Sequence, residues 1–270
     1  MLNTKHAAKK EITIDLIRHL VLNSLRMYSQ KFRGKYGKNL VICCDSSNYW
    51  RRQSFPYYKA SRKKARDSTG HDWAMIHDAM SVLKKEFAEF LPYKVVEAYR
   101  AEADDVIATL VQEVSDIEPI LIISSDKDFL QLQSYSNVNQ YSPLMERFIS
   151  IDDPKRYTKE HIIRGDRGDG IPNILSPDGS FVNGERQKSI TKIKLAEWME
   201  LEPDQFCTTE VMKRGYERNK ELIDLTCIPE DIRKSIYEAF NAAEIANGTK
   251  VLEYFMAKKL KNLTEVLNEF

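Results

Sequence analysis

The chain has 270 residues, enough to bury a sizeable core in one or two domains. Its 41 lysine and arginine residues nearly balance its 40 aspartate and glutamate residues, so the net charge of +1 neither indicates nor excludes a nucleic-acid partner. No apolar run approaches the ~18 residues of a membrane span, and the N-terminus lacks the hydrophobic segment of a secretion signal. The four cysteines include no CxxC pair, which favours core thiols in a reducing cytoplasm over a zinc site.

The spacing of apolar residues predicts an α/β protein. A basic, aromatic connector occupies residues 46–70, and residues 171–186 have the Pro, Gly, Asn and Asp content of an irregular loop. We expect an α/β core with a parallel sheet in residues 1–151 and a helical C-terminal lobe in residues 152–270. In chain order, the predicted elements are a helix over 13–28, strand over 40–44, helix over 72–90, short strand over 93–96, helix over 102–114, strand over 120–123, and further strand and turn over 138–151.

Eight carboxylates fall in four short clusters, and two clusters directly follow predicted strands. Ligands of parallel sheets gather at the carboxyl ends of the strands, and so many acids at one edge repel each other unless cations bind between them. Hard oxygen ligands at this density suit Mg²⁺ or Mn²⁺, as in two-metal phosphodiester hydrolysis. For each acid alone, a solvated surface charge or a helix cap is the alternative. The eight are Asp45, Glu102, Asp104, Asp105, Asp126, Asp128, Asp166 and Asp169.

Spacing within two of the clusters predicts which side chains act together. Asp126 and Asp128 are two residues apart, so in an extended strand end they face the same way. Glu102 and Asp105 are three residues apart and share one face of a helix, whose dipole favours acids in the first turn. Both pairs therefore fit a site that holds divalent ions.

The segment from Trp50 to Arg66 contains seven cations and no acid, with aromatic residues between them. Cations contact phosphates and aromatic rings stack on unpaired bases, so the composition indicates a nucleic-acid contact, with a solvated basic loop as the alternative. We expect contacts to nucleic acid from Arg51, Arg52, Lys63, Lys64 and Arg66.

Four segments resemble motifs of the 5′-nuclease superfamily, which includes flap endonucleases and phage 5′-3′ exonucleases. Residues 124–129 (SSDKDF) are similar to its SxDxD motif, and residues 102–105 (EADD) to its EADD motif. Residues 165–172 (GDRGDGIP) resemble GDxxDNIP, and residues 58–62 (YKASR) resemble the YKxxR segment of the family's helical arch. The resemblance covers nearly the whole chain in order and is nearest to the ribonuclease H branch of T-even phages.

The resemblance implies a PIN-like 5′-nuclease fold with a basic arch over about residues 46–70. It also implies two Mg²⁺ ions, which Mn²⁺ can replace. Asp166 and Asp169 are assigned to a second, more solvated ion, and Asp105 is a supporting residue. The tighter cluster comprises Asp45, Glu102, Asp104, Asp126 and Asp128.

Roles in binding the substrate are also implied. Lys59 and Arg62 are assigned to the scissile phosphate, and Tyr58 to stacking on an unpaired base. A helix–turn–helix-type motif in the C-terminal lobe is expected to grip duplex DNA. Lys188, Lys192 and Lys194 are its candidate phosphate contacts, with a solvated helix face as the alternative for each. Residues 176–180 depart from the family's Gly-rich hairpin, so the motif of a potassium site is not matched.

The implied activity is Mg²⁺-dependent 5′-3′ hydrolysis of RNA·DNA hybrids, duplex DNA and 5′ flaps. The implied role is removal of RNA primers during lagging-strand replication, by a monomer in the cytoplasm of a bacterial host. A single-stranded-DNA-binding protein is an implied partner of the C-terminal lobe.

One expected element has no counterpart in the sequence. The family begins with a strand that ends in a ligand aspartate, and no apolar strand of this kind precedes Glu11. We therefore expect the sheet to lack this strand and the metal site to lack one carboxylate. An alternative function is then a flap- or duplex-binding protein whose cleavage is weakened or lost. A second alternative, a metal-dependent phosphatase for small molecules, does not explain the basic, aromatic connector.

Overall fold

The computed structural model describes residues 12–62 and 72–270. The chain forms two compact units, each assembled from segments that are distant in sequence. The first unit consists of Met1–Leu40, Asp72–Lys94 and Glu244–Phe270, and the second of Val41–His71 and Val95–Ala243. The division predicted at residue 151 does not match these units, because the C-terminal part of the chain contributes helices to both.

The predicted helices and strands are all present, with boundaries close to those expected except at the end of the first helix, which continues to Tyr36 instead of ending at Tyr28. In the described ranges, no helix is long and apolar enough to cross a membrane. In chain order the elements are α1 (Ile14–Tyr36), β1 (Val41–Cys44), α2 (Trp50–Ser54), α3 (Trp73–Phe90), β2 (Lys94–Glu97), α4 (Ala103–Val114), β3 (Ile120–Ile123), a 3₁₀ helix (Lys127–Ser134), β4 (Val138–Ser142), β5 (Arg147–Ile149), α5 (Pro154–Arg164), α6 (Lys192–Met199), α7 (Pro203–Phe206), α8 (Glu210–Ile223), α9 (Glu230–Ala242), α10 (Gly248–Ala257), α11 (Lys261–Thr264) and a 3₁₀ helix (Leu267–Glu269).

A buried ionic cluster connects three helices of the first unit. Arg18 of α1 donates to both carboxylate oxygens of Glu86 in α3, with Nε–Oε2 at 2.9 Å and Nη2–Oε1 at 3.1 Å. The hydroxyl of Tyr254 in α10 donates to Glu86 Oε2 at 2.7 Å, and Lys258 Nζ lies 2.5 Å from Oε1. Burial opposes ionisation of Glu86, but the hydrogen bonds from Arg18, Lys258 and Tyr254 outweigh it and lower its pKa to about 2.

The second unit contains two small sheets. Strands β3 and β4 are parallel, with Ile120 opposite Val138 and Ile123 opposite Tyr141, whereas β5 is antiparallel to β4. Strands β1 and β2 form the other sheet. The sheet is therefore mixed rather than wholly parallel, because the short connection between β4 and β5 permits only an antiparallel return.

The core of the second unit explains why the C-terminal lobe is not separate. Ile232 and Ile236 of α9 are buried in the same apolar cluster as Val106 of α4 and Ile122 of β3. An amphipathic helix gains most of its stability by burying its apolar face against other elements. Helix α9 therefore belongs to the α/β core, although more than a hundred residues separate it from α4 in the sequence.

Candidate metal centre

Two of the acids lie at the ends of strands, as predicted. Asp45 follows β1, and its Oδ1 accepts a hydrogen bond of 2.8 Å from the backbone N–H of Ala103, the first residue of α4. Asp126 follows β3 after a short extended segment. The side-chain amide of Gln140 in β4 donates to the carbonyls of Ser124 and Asp126, at 2.9 and 2.6 Å, and fixes that segment.

The geometry predicted for Asp126 and Asp128 is wrong. The chain turns into a 3₁₀ helix at this point, and Asp126 is its N-cap, with Oδ1 accepting from the N–H of Asp128 at 3.0 Å. An aspartate before a helical turn satisfies an N–H that has no partner within the helix, and this cap competes with an extended strand end. The two carboxylates therefore do not lie side by side on one strand.

A cavity of about 700 Å³ opens where these acids lie. Its lining is mostly polar and combines the loop after β3 with α5 and the segment that follows α5. The lining residues are Ser124, Ser125, Asp126, Lys127, Asp128, Tyr157, His161 and Asp166.

His161 of α5 lies between two of the carboxylates. Its Nδ1 is 3.4 Å from Asp128 Oδ1, and its Nε2 is 3.3 Å from Asp166 Oδ2. One donor atom from each of the three residues lies within 4.8 Å of the others, as ligands of one ion would. Burial alone would lower the pKa of His161, but its hydrogen bond with Asp166 and the charge of Asp128 outweigh burial and raise it.

The half-buried carboxylates of Asp104 and Asp128 are repelled by neighbouring acids. Burial raises the pKa of Asp128 to about 7, with Asp126 and Asp166 adding repulsion that His161 partly offsets. Burial also raises the pKa of Asp104 to about 7, where attraction by Lys59 is opposed by repulsion from Asp126 and Glu102. Groups that are hard to ionise together bind a divalent cation favourably, so this set of oxygen donors fits Mg²⁺ or Mn²⁺.

Asp105 is a structural residue, contrary to its predicted supporting role as a metal ligand. It is fully buried, and its Oδ2 accepts from Trp50 Nε1 at 3.1 Å and from the N–H of Glu102 at 2.9 Å. Its Oδ1 lies 2.7 Å from Arg51 Nη1. The sequence placed it correctly in the first turn of a helix, but there it closes a capping box with Glu102.

Arg51 is not available for the predicted contact with nucleic acid. Its side chain is only 4% exposed, and it donates to Glu102 Oε2 at 3.0 Å and to the carbonyl of Leu222 at 2.8 Å. A buried guanidinium needs carboxylate partners, and Glu102 and Asp105 supply them. Composition alone could not separate this internal cation from its exposed neighbour Arg52.

Tyr58 is also internal, so its predicted stacking on a base does not agree with the structure. The residue is 2% exposed, and its hydroxyl donates toward Glu102 Oε2 at 2.9 Å and Asp169 Oδ2 at 3.0 Å. The phenol therefore braces two of the acids. A buried ring presents no free face to a base.

Lys59 and Arg62 lie beside the acids, as the predicted roles require. Lys59 Nζ is 2.5 Å from Glu102 Oε1 and 3.7 Å from Asp169 Oδ2, and Arg62 forms an ion pair with Asp169. The backbone N–H of Lys59 donates to the carbonyl of Asp169 at 2.7 Å. These contacts hold residues 57–62 against residues 166–170.

The remaining predicted contacts that the structure describes are solvent-exposed. Arg52, Lys188, Lys192 and Lys194 are exposed, which a phosphate contact requires but does not establish. The positions of Lys63, Lys64 and Arg66 lie outside the described residues.

Sequence reasoning missed two residues that organise this site. Asn219 of α8 is fully buried, and its amide donates to the carbonyls of Ile162 and Pro172, at 2.7 and 2.9 Å. These carbonyls flank the segment that carries Asp166 and Asp169. His161 was missed as well, although its position on a predicted helical lobe immediately before an acidic motif is a signal that could have identified it.

Comparison with known proteins identifies related sequences over both halves of the chain. A family model for the 5′-3′ exonuclease N-terminal resolvase-like domain matches residues 6–164, and a model for the C-terminal domain of T4 RNase H matches residues 155–270. The Ribonuclease H of Enterobacteria phage T4 is 35% identical over 273 residues, which cover 97% of this chain and 89% of that protein. The Flap endonuclease Xni of Shewanella sp. (strain MR-4) is 30% identical over 134 residues, 46% of this chain and 48% of its own.

Solved structures share the fold. A mutant of the bacteriophage T5 5′-exonuclease has a TM-score of 0.59 and 15% sequence identity, over 86% of this chain and 96% of the T5 chain. A structure of the same T5 enzyme with bound zinc ions has a TM-score of 0.55 at 16% identity, over 87% and 93% of the two chains. At this identity the likeness concerns the fold alone.

Proposed function

The chain belongs to the 5′-3′ exonuclease family, and from this premise we propose that it hydrolyses RNA·DNA hybrids, duplex DNA and 5′ flaps in a Mg²⁺-dependent reaction. The observation that carries the proposal is the cavity at the end of β3, where Asp126, Asp128 and Asp166 converge. Lys59 and Arg62 lie at the neighbouring carboxylate Asp169. Removal of RNA primers during lagging-strand replication, in the cytoplasm of a bacterial host, is the proposed role.

Two groups of residues would hold the ions. In the proposal, Asp166 and Asp169 hold one ion, and Asp45, Glu102, Asp104, Asp126 and Asp128 hold the other. When bound, such ions lower the pKa of a water molecule and offset charge on the phosphate. Asp105, whose oxygens are occupied by Arg51, Trp50 and the backbone, is not a ligand in this proposal.

The cations of the 57–62 segment act on the substrate. Lys59 and Arg62 are held by carboxylates and can exchange these for phosphate oxygens, with Arg62 offering a bidentate fork that Lys59 lacks. Positive charge placed where negative charge develops lowers the barrier to hydrolysis. Tyr58 keeps Glu102 and Asp169 in place through its hydroxyl.

The binding partners beyond the nucleic acid are also proposals. Exposed Lys188 and Lys192 suit contact with duplex phosphates, which predicts binding that weakens as salt rises. We expect a monomer in solution, and docking of a single-stranded-DNA-binding protein on the C-terminal part of the chain.

The proposed function is tested by cleavage of a 5′-labelled RNA·DNA hybrid, a DNA duplex and a 5′ flap over a Mg²⁺ titration. We expect products that appear only with metal, and a rate loss of about 100-fold or more for Lys59→Ala and for Arg62→Ala. Lys234→Ala, an exposed lysine of α9, is the matched control and should retain the wild-type rate.

Three outcomes separate the rival functions. Flap binding without cleavage at any metal concentration would support the alternative function, a flap- or duplex-binding protein whose cleavage is weakened or lost. Hydrolysis of p-nitrophenyl phosphate with no cleavage of polynucleotides would favour the phosphatase. Cleavage at the full rate by both cation variants would refute the roles assigned to Lys59 and Arg62.

A further inference from the structure

His161 stands out because the family motifs do not include it, although it lines the cavity with the acids. Its side chain is 15% exposed, and both of its ring nitrogens face carboxylate oxygens. Nδ1 is buried and has no hydrogen-bond partner among the described residues. A buried nitrogen left without a partner costs free energy, so its retention calls for a function.

The distances around His161 match those of ligands that share an ion. Donors that bind one ion at about 2.1 Å lie roughly 3 to 4 Å apart, and Nδ1 lies 3.4 Å from Asp128 Oδ1. Nε2 lies 3.3 Å from Asp166 Oδ2, a distance at which the N–H of Nε2 can donate to this carboxylate. A metal-binding imidazole commonly donates its other N–H to a carboxylate in this way, which fixes the tautomer that leaves the opposite nitrogen free to bind.

We propose that His161, oriented by Asp166 at Nε2, is a nitrogen ligand through Nδ1 of the divalent ion that Asp128 helps to hold, and that this ion site therefore favours Mn²⁺ over Mg²⁺. Imidazole binds transition-metal ions, whereas Mg²⁺ strongly prefers oxygen donors. The inference rests on the proposed nuclease function for the presence of the ion, and it adds a ligand and a metal preference.

Helix α5 gives the proposed ligand a fixed position. His161 lies in the last turn of α5, and the following segment returns at once to Asp166, whose carbonyl accepts from the N–H of Ile171 at 2.7 Å. The ring of Tyr157, one turn earlier on the same helix, lies 5.9 Å from the imidazole between ring centroids. A ligand on a helix is held more precisely than one on a loop.

The competing explanation is a protonated His161 that bridges the two carboxylates as an ordinary ion pair. In that case the imidazole nitrogen never contacts the ion. Pulsed electron paramagnetic resonance of the Mn²⁺-loaded protein distinguishes the two, because a directly bound nitrogen-14 modulates the electron spin echo and a distant one does not.

The experiment compares wild type, His161→Gln and His161→Asp, with His19→Gln as the control at an exposed histidine of α1. We expect nitrogen modulation in the wild type and in His19→Gln, and none in either His161 variant. Titration calorimetry should show weaker Mn²⁺ binding in His161→Gln by about tenfold or more, since even partners outside the ligand set contribute 10–100-fold. His161→Asp restores an oxygen donor and should shift the preference toward Mg²⁺.

The outcomes are decisive when cleavage of the RNA·DNA hybrid is measured on the same Mn²⁺-loaded samples. Cleavage by wild type without nitrogen modulation overturns the inference and leaves the proposed function standing. Modulation without cleavage supports the ligand and counts against the proposed function. Modulation that survives in both folded His161 variants, as judged by circular dichroism, also overturns the inference.

Discussion

Asn219 offers a direct test of how the loop that carries Asp166 and Asp169 is held. Its amide donates to the carbonyl of Ile162, at 2.7 Å, and to that of Pro172, at 2.9 Å. Ile162 lies in the last turn of α5, where a carbonyl has no partner within the helix, so the amide of Asn219 takes the place of the missing turn. Replacement of Asn219 by alanine removes both hydrogen bonds from a fully buried position.

The two carbonyls differ in how many hydrogen bonds each keeps after Asn219→Ala. The Pro172 carbonyl retains a hydrogen bond from Arg218 Nη2 at 2.6 Å, so its loss is the net value of one hydrogen bond, about 0.5–1.5 kcal/mol. The Ile162 carbonyl is left buried without this donor, at a cost of about 1–3 kcal/mol. Asn219→Ala should therefore lower the free energy of unfolding of the protein by about 2–4 kcal/mol.

Urea denaturation followed by circular dichroism measures this change, with Asn241→Ala as the control on the exposed side of α9. The control should stay within about 0.5 kcal/mol of the wild type, as surface substitutions do. Calorimetry should also show weaker Mg²⁺ binding by Asn219→Ala, because the loop that bears two proposed ligands is released. An Asn219→Ala protein as stable as the control, with unchanged metal affinity, would refute this account of the loop.

Three further predictions concern charge and backbone. Because burial raises the pKa values of Asp104 and Asp128 to about 7, the metal-free protein should lose stability as the pH rises from ~4 to ~7. The increase in melting temperature on adding Mg²⁺ should grow over the same pH range. A Mg²⁺-induced increase in melting temperature that does not change between ~pH 5 and ~pH 8 would contradict the raised pKa values. Glu86→Ala leaves the guanidinium of Arg18 buried without its main partner and should lower the free energy of unfolding, measured by urea denaturation, by about 3–5 kcal/mol. The control Glu89→Ala, on the exposed face of the same helix, should lower it little. Equal losses of stability in the two variants would count against the ionic cluster. Gly170→Ala places a methyl group 2.9 Å from the carbonyl of Tyr57 at a φ of +75° and should lower the melting temperature, whereas Gly34→Ala, with no atom within 4 Å, should not.

The periodicity of apolar residues was sufficient to predict the helices and strands, but not to predict which of them pack together in one compact unit. Helix α3 begins and ends within one residue of its predicted limits, because Asp72 caps it and an apolar face runs along it. The boundary between units was mispredicted because packing, not sequence distance, decides it. Ile232 and Ile236 show the helical pattern of any amphipathic helix, and nothing in that pattern names Val106 and Ile122 as their neighbours.

The sequence was sufficient to predict which acidic residues form the candidate site, but not the local geometry or the neighbouring residues that hold them. The acids at the ends of β1 and β3 follow from the rule that ligands gather at the carboxyl ends of strands. The local turn at Asp126 did not follow, since the same residue can end a strand or cap a 3₁₀ helix. His161 and Asn219 come from α5 and α8, and only tertiary structure brings them to the loop between residues 162 and 172.

Two of the errors at the site, the roles of Asp105 and Arg51, share one physical cause, which is the pairing of cations with buried acids inside the protein. The sequence interpretation assigned Arg51, Lys59 and Arg62 to the substrate, but a buried carboxylate needs a partner of opposite charge within the protein. Arg51 supplies it for Glu102 and Asp105, and the hydroxyl of Tyr58 adds a hydrogen bond to Glu102. Internal partners of this kind fix some of the acids in place. For Asp104 and Asp128, burial outweighs the attraction of Lys59 and His161 and raises the pKa to about 7, so these two acids have the strongest demand for a divalent ion.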